Sequence, residues 1–274
     1  MEKQGEYIRR VEIDSLWSGR HHVIWNLQPD VNILSGVNGV GKSTILNKVV
    51  RYLVQQASGC LSRDMPGVKI TFHPKDAESV RFDVIRSFDR PLIQGGLLEK
   101  LTDTRVATEL DWQLYQLQRR YLDYQVNIGN RMIEMLTSGN PDAQRLAQEQ
   151  AFAKTQFQNI VDELFQETGK TIDRKSNEIL FFQMGEVLAP YQLSSGEKQI
   201  LVILLTVLVE DKQPYVLFMD EPEISLHVEW QQKLIDLIRQ INPKVQIILT
   251  THSPAVIMNG WMDAVTEVSD ITKE

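Results

Sequence analysis

The sequence holds a single cysteine, Cys60, in 274 residues. One thiol cannot build an intramolecular disulfide framework, nor a zinc site made of cysteines alone. Positive charge is also scarce: 29 Lys and Arg stand against 36 Asp and Glu, for a net charge of −7. That balance speaks against a uniformly basic nucleic-acid binder and leaves room only for a local basic groove. Long apolar runs are missing too. The longest, residues 200–209, is about half of the roughly 20 residues that a bilayer crossing requires. Residues 1–10 are charged and lack the apolar stretch of a signal peptide. These absences predict a protein of a reducing, cytoplasmic compartment with no membrane partner. What is present, 42% hydrophobic and 24% charged residues, supplies a sizeable core for one large domain or two modest ones.

Residues 7–13 and 21–27 alternate as strands around the polar turn Ser18-Gly19-Arg20, and residues 31–34 follow as a third strand. A glycine-rich segment comes next, then a helical pattern over residues 43–56 and a half-exposed strand over 80–87. Between 97 and 166 the pattern turns helical. Leu110, Leu114, Leu117, Tyr121, Tyr124, Ile128, Met132 and Met135 recur every three or four residues, a single stripe close to a 3.5-residue period. Residues 137–142 stop this helix and start another, with Asn140 as the expected N-cap and Pro141 at the first helical position. Leu146, Ala153, Phe157, Ile160 and Leu164 share one face of the second helix, so the two form an antiparallel hairpin. Packing of the stripes on each other or on the body is favoured over a partner-binding seam, and Gly129 weakens an unbroken coiled coil. After Gly169, strands at 170–174, 179–184, 215–219 and 245–250 alternate with helices from 195 and over 227–241. The second of these helices buries Trp230, Leu234, Leu237, Ile238 and Ile241. Such alternation predicts a mainly parallel α/β sheet.

Gly36-Val37-Asn38-Gly39-Val40-Gly41-Lys42-Ser43 fits G-x-x-x-x-G-K-[ST] in full, between a strand and an amphipathic helix. Glycines let the backbone curl around an anion, so that N–H groups and the helix N-terminus point at phosphate oxygens. Gly36, Asn38, Gly39, Gly41, Lys42, Ser43 and Thr44 are the expected ATP-binding residues, with Lys42 on the β- and γ-phosphates and Ser43 on Mg2+. Val216-Leu217-Phe218-Met219-Asp220-Glu221 is a buried strand that ends in two acids, at the edge where open α/β sheets place ligands. Asp220 is expected to hold the magnesium, and Glu221 to polarise the attacking water as general base. A chance glycine turn and a strand capped by two solvated acids is the plain alternative; the two motifs together outweigh it.

Two further segments decide which P-loop family this is. Leu193-Ser194-Ser195-Gly196-Glu197-Lys198-Gln199 opens the apolar helix, and Thr250-Thr251-His252-Ser253-Pro254 follows the last strong strand. With glycine loop, LSSGE, DEPE-x-SLH (residues 220–227) and TTHSP in this order, the sequence resembles an ABC-type ATPase. It is more similar to the stand-alone ABC ATPases allied to the OLD nucleases, RecF and SMC proteins than to transporters, whose signature reads LSGGQ. The resemblance covers residues 1–95 and 170–268, and the helical block carries no matching motif. It implies an α/β P-loop NTPase of ABC-ATPase type: a mainly parallel sheet, an N-terminal antiparallel portion and an inserted antiparallel helical hairpin. The expected divisions are 1–96, 97–168 and 169–274.

The resemblance also implies two chains. Ser195 and Gly196 would meet the γ-phosphate of ATP held by the opposite protomer, so that two ATP glue a head-to-tail homodimer and hydrolysis releases it. His252 corresponds to the switch histidine that senses the γ-phosphate; a strand-end histidine bonded to backbone is the plain alternative. The Q-loop glutamine of the family, which reaches toward Mg2+ or the attacking water, is assigned to Gln94, with Gln183 as its competitor. Trp17 and Tyr7 are candidates for the adenine-stacking aromatic. His227 is expected at an interface or helix cap, and His21 and His22 on the early hairpin without chemistry.

Three functions fit. An ATP-driven switch in an anti-phage defence or DNA-maintenance assembly is favoured by the LSSGE, DEPE and TTHSP variants and by the insertion. Few residues follow His252, so a nuclease or toxin effector is expected on a separate chain. DNA or RNA as a partner is not supported by the charge. Phosphate contacts need Lys and Arg in quantity, yet the helical block clusters them only at Arg119-Arg120, and Arg81, Arg86 and Arg90 read as a solvated face. The nucleotide-binding subunit of a membrane transporter is the alternative, disfavoured by the signature and the insertion. An ATP-clamped scaffold with slow turnover is the third, and Glu221 argues against it.

Overall fold

The computed structural model describes residues 3–16, 21–58, 67–86 and 106–273, without the side chains of Ser15 and Arg86. Trp17, Cys60, Arg90 and Gln94 lie outside the described residues. The described strands are, in chain order, β1 (Gln4–Gly5), β2 (Tyr7–Leu16), β3 (His21–Asn26), β4 (Val31–Ser35), β5 (Val68–His73), β6 (Ser79–Val80), β7 (Phe82–Arg86), β8 (Thr171–Ile172), β9 (Phe181–Gln183), β10 (Glu186–Leu188), β11 (Tyr215–Asp220), β12 (Val245–Thr250), β13 (Val265–Glu267) and β14 (Thr272–Lys273). The described α-helices are α1 (Lys42–Ala57), α2 (Glu109–Thr137), α3 (Ala143–Leu164), α4 (Ser195–Val209), α5 (Val228–Ile241), α6 (Pro254–Met258) and α7 (Val268–Ile271). The chain divides into two compact units. One takes Met1–Ser87, Gln213–Ile235 and Lys244–Glu274, and the other takes Phe88–Lys212 and Asp236–Pro243.

The first unit rests on a five-stranded sheet in the order β13-β4-β12-β11-β7, with every pair parallel. Buried on both faces, such strands need unbroken apolar runs. β12 is buried along its whole length and β11 along all but Asp220. The register places Asp220 beside Thr250, and Thr250 beside Leu34, so β4, β11 and β12 end side by side. A second, antiparallel sheet in the order β14-β3-β2-β5 supplies the expected N-terminal portion. Ile8, Val11, Ile13 and Trp25 from this sheet, Ile45 and Val49 from α1, and Phe218 and Ile248 from the parallel sheet share one core. The single strand expected over 80–87 is two, β6 and β7. Arg81 interrupts it, and its carbonyl accepts the N–H of Val216 at 2.9 Å.

The second unit holds the helical hairpin and α4. α2 opens at a capping box, with Asp111 N–H donating to Thr108 Oγ1 at 3.2 Å and Thr108 N–H to Asp111 Oδ2 at 3.1 Å. It then runs unbroken through Gly129. Leu110, Leu114, Leu117, Tyr121, Tyr124 and Ile128 are buried, and α2 packs against both α3 and α4. The near part of the stripe therefore packs within the unit. α3 starts later than expected. Asn140 accepts Asp142 N–H on its side chain (2.9 Å) and Ala143 N–H on its carbonyl (3.0 Å), closing a separate turn, and Asp142 is the residue before the helix. Three ion pairs tie α2 to α4 and the turn beyond it: Asp111–Lys198 at 2.8 Å, Arg120–Glu210 at 2.5 Å and Arg131–Asp211 at 2.6 Å. No helix among the described residues is long and apolar enough to cross a membrane.

Candidate functional site

Between the end of β4 and the start of α1, Gly36, Gly39 and Gly41 take φ values of 145°, 81° and 101°. A Cβ on Gly36 would stand 3.0 Å from Val40 Cγ1, whereas one on Gly39 would meet nothing within 4 Å. Backbone conformation thus favours glycine at both positions, with a close contact to Val40 besides at Gly36 and open space at Gly39. Gly41 stands at the N-cap of α1 in the left-handed region and offers no side chain, and the first turn has no acid. The positive end of a 16-residue helix is left without an internal anion. Lys42, 5% exposed, donates to the carbonyls of Gly36 at 3.0 Å and Val37 at 3.3 Å, and its Nζ lies 2.5 Å from His252 Nε2.

At the end of β11, Asp220 Oδ1 accepts from Ser43 Oγ at 2.9 Å and from Thr250 Oγ1 at 2.5 Å. The next residue, Glu221, adopts φ 48°. Left-handed backbone costs a side-chain-bearing residue about 1–2 kcal/mol, and here neighbouring β12 holds it: Glu221 N–H reaches Thr250 O at 3.0 Å and Thr250 Oγ1 at 3.2 Å. The turned backbone brings Glu221 Oε1 to 3.4 Å from His252 Nε2. One ring nitrogen thus stands between an ammonium and a carboxylate.

Glu223 escaped the sequence reading. Its Oε1 accepts from Thr251 Oγ1 and from His252 N–H, the latter at 3.1 Å, while Oε2 is buried with no hydrogen-bond partner. Gln231 extends the tie, donating to the carbonyls of Glu223 at 3.3 Å and Leu226 at 2.9 Å and accepting from Ser253 Oγ at 2.7 Å. Thr251-His252-Ser253 is therefore bolted to the DEPE segment through a buried carboxylate. The second Glu of DEPE was in view, but nothing local in the sequence marked its partner.

In the second unit, Leu193-Ser194 leads into α4 through a full capping box. Ser194 Oγ donates to Glu197 Oε2 at 2.9 Å, Ser194 N–H reaches the same oxygen at 2.9 Å, and Glu197 N–H points back to Ser194 Oγ at 3.4 Å. Glu197 is also held at Oε1 by Lys170 Nζ and Thr168 Oγ1, each at 2.9 Å. Burial pushes its carboxyl up, but Lys170 together with Ser194 and Thr168 outweighs this and holds it below the ordinary value. Ser195 is left exposed and Gly196 half-buried.

Lys42, Ser43, Asp220, Glu221 and His252 converge in the first unit, with Asn38 and Thr44 exposed beside them, while Ser195 and Gly196 belong to the second unit. Gln94 lies outside the described residues. Its competitor Gln183 uses its amide on Thr168 O at 2.8 Å. Tyr7 stacks on His73 with ring centroids 4.8 Å apart. The carbonyl of His227 accepts from Trp230 N–H (2.9 Å) and Gln231 N–H (3.0 Å) at the start of α5, and His22 pairs with Asp14 at 3.2 Å.

The residues suit a nucleotide with Mg2+. The open glycine cradle, the uncapped helix end and a buried ammonium held only by carbonyls and a histidine are donors awaiting an anion. No cluster of three or more His, Cys, Asp or Glu among the described residues could hold a metal alone. Ser43 Oγ and Asp220 Oδ1 together offer the few hard oxygens that Mg2+ takes from a protein when phosphates and water complete its shell.

Comparison with known proteins places the chain in a family. The family model described as "AAA domain, putative AbiEii toxin, Type IV TA system" matches residues 62–259. The chain is 26% identical to the Septu protein PtuA of Bacillus thuringiensis, across 91% of this chain and 72% of that protein. It is 23% identical to the "Retron Vc95 probable ATPase" of Vibrio cholerae serotype O1 biovar El Tor, across 63% of this chain but only 35% of that protein. Among solved structures, an Smc head bound to the C-terminal winged-helix domain of ScpA superposes with a TM-score of 0.53 at 15% identity, covering 92% of this chain and 91% of that one. This likeness is one of fold, that of an Smc head.

Proposed function

Since the chain belongs to the family described as "AAA domain, putative AbiEii toxin, Type IV TA system", we propose that it is an ATP-hydrolysing ABC-type switch. In this reading it pairs head to tail around two ATP and controls a separate effector in a cytoplasmic anti-phage defence or DNA-maintenance assembly. The observation that carries the proposal is the meeting of Lys42, Ser43, Asp220, Glu221 and His252 at the ends of adjacent parallel strands, beside a helix start left without a cap. The relatedness to a Septu protein and a retron ATPase supports the defence context.

Lys42 exchanges its carbonyl and histidine contacts for the β- and γ-phosphate oxygens, and the backbone N–H groups of residues 39–44 turn to the same anion. Ser43 and Asp220 would hold Mg2+, whose charge would offset that of the γ-phosphoryl group. Glu221 orients a water and takes its proton as the new P–O bond forms and the bond to the β-phosphate oxygen breaks. His252, positioned by Glu223, faces the γ-phosphate. Ser195 and Gly196 at the start of α4 donate to the γ-phosphate held by the other protomer.

The test is Glu221→Gln with ATP and Mg2+. Hydrolysis is expected to fall by about 10²–10⁴-fold while light scattering reads a doubled mass. A variant that stays monomeric, or that hydrolyses like the parent, sinks the reading.

A further inference from the structure

The antiparallel sheet carries an irregularity that the nucleotide site does not use. β2 pairs with β5 through Tyr7–His73 and Ile8–Phe72, passes over Arg9, and resumes at Arg10–Thr71. One extra residue on β2 makes a β-bulge. Burial shows its effect: Ile8 and Val11 are fully buried, whereas Arg9 is exposed and Arg10 half-buried between them. Strict alternation would have turned one of those two arginines into the core. The bulge instead sets two guanidinium groups side by side on the outer face. Lys75, just past the end of β5, joins them, as do Asn26 and Thr71, the cross-strand neighbours of Arg10. They line an open pocket of about 560 Å3 floored by Leu27 and Phe72.

Charge narrows what the pocket can hold. Arg10 Nε stands 2.8 Å from Glu12, and among the described residues no carboxylate pairs with Arg9 or Lys75. Three cations and one acid leave a local surplus of two positive charges in a chain whose net charge is −7. The guanidinium forks, an ammonium, an amide and a hydroxyl are the donor set for a compact tetrahedral oxyanion. A phosphate monoester carries about −1.5 to −2 at neutral pH, which matches that surplus; a single phosphodiester carries half as much. The volume falls in the usual range of about 300–1,000 Å3 for a small ligand. Phe72 is 6% exposed, so no aromatic face is open for base stacking.

We propose that this pocket binds a terminal phosphate monoester, carried by a small phosphorylated metabolite or by the 5′ end of a nucleic-acid strand. It is separate from the glycine loop: Leu27 precedes β4 and the loop follows it, and five strand residues span about 16 Å.

The probe is a short 3′-labelled single strand in 5′-phosphorylated and 5′-hydroxyl forms. Anisotropy is measured on the full chain saturated with a non-hydrolysable ATP analogue and Mg2+, so that the glycine loop is filled. Ribose 5-phosphate is titrated separately and as competitor. The phosphorylated strand, ribose 5-phosphate or both are expected to bind at least about tenfold tighter to the parent than to Arg9→Ala/Lys75→Ala, the scale of one charge-assisted hydrogen bond. Both replaced residues are exposed, so the melting temperature and the affinity for the ATP analogue should not change. Erasure of the strand's preference by ribose 5-phosphate assigns the pocket to the small ligand; a preference that resists it assigns the pocket to the strand end. Equal binding of both strands with no uptake of ribose 5-phosphate overturns the proposal, as does a preference that survives in the double variant.

Discussion

The N-termini of α1 and α4 face the same physical problem and answer it in opposite ways. Each leaves backbone N–H groups without helical partners and a partial positive charge. At α4 the deficit is met from within, because Ser194 and Glu197 close a capping box and Lys170 and Thr168 steady Glu197 in turn. At α1 there is no side-chain cap and no acid in the first turn. Omitting a good cap costs a helix about 1 kcal/mol, a cost that an arriving anion can offset. The capped end can present to an anion only what lies outside its own box, Ser195 and Gly196. Two glycine- and serine-rich helix starts that look alike in sequence are thus an open socket and a closed end with a small donor edge.

The contrast can be broken at either end. The largest effect is expected from Lys42→Ala, which removes the ammonium from the open end. Nucleotide affinity by calorimetry should fall about 10²-fold or more, and an unchanged affinity would place the anion elsewhere. Next comes Glu223→Ala, which leaves Thr251 Oγ1 and His252 N–H without their buried acceptor and should lower unfolding free energy by about 1–3 kcal/mol. Turnover should drop with little change in KM for ATP, and Glu223→Gln, which keeps an acceptor, should recover most of it. A matched fall in both kinetic constants would make Glu223 merely structural.

The closed end has a pH signature. The folded carboxyl of Glu197 lies below its ordinary value of 4.5, so its contribution is complete above that pH and is lost as pH falls through the folded value. Acidification below 4.5 should therefore lower the melting temperature of the parent more than that of Glu197→Gln; parallel curves would show that the box contributes nothing through charge. The smallest effect, and the sharpest in sign, is expected from Thr44→Glu, which places an acid in the bare first turn of α1. Stability without nucleotide should rise by about 0.3–1 kcal/mol while ATP affinity falls. A rise in both would mean that the end is not kept open for phosphate.

Much of the site was legible because its chemistry lies in contiguous runs. The glycine loop, Asp220-Glu221 and TTHSP each announce themselves within a few residues, and an unbroken apolar strand beside each predicts the parallel sheet that brings the three to one edge, while LSSGE is just as legible at the start of an apolar helix in the other unit. Glu223 was not legible, since its partner Thr251 stands 28 residues away and is reached only through the pairing of β11 with β12. The bulge at Arg9 is readable only in retrospect: Ile8-Arg9-Arg10-Val11 breaks a two-residue period, and whether a strand ends or bulges there depends on β5. The start of α3 moved because Asn140 and Asp142 are both good capping residues, and the Asx turn at Asn140 leaves Asp142 next to the helix. Arg81 divides a strand that reads as continuous, because residues 79–80 pair with β1 whereas residues 82–86 pair with β11.

The three ion pairs between α2 and α4 have a thermodynamic corollary. Asp111, Arg120 and Arg131 follow one another along α2 in the same order as Lys198, Glu210 and Asp211 along α4 and the turn after it, so the two helices are latched in parallel at both ends. α2 has 29 residues, a rod of about 43 Å. Any molecule that grips the far end of that rod more tightly in one setting of α4 than in another biases the edge bearing Ser195 by the difference in grip. Linkage then runs both ways: whatever free energy the grip lends to the ATP-bound state, ATP must return by tightening the grip to the same degree.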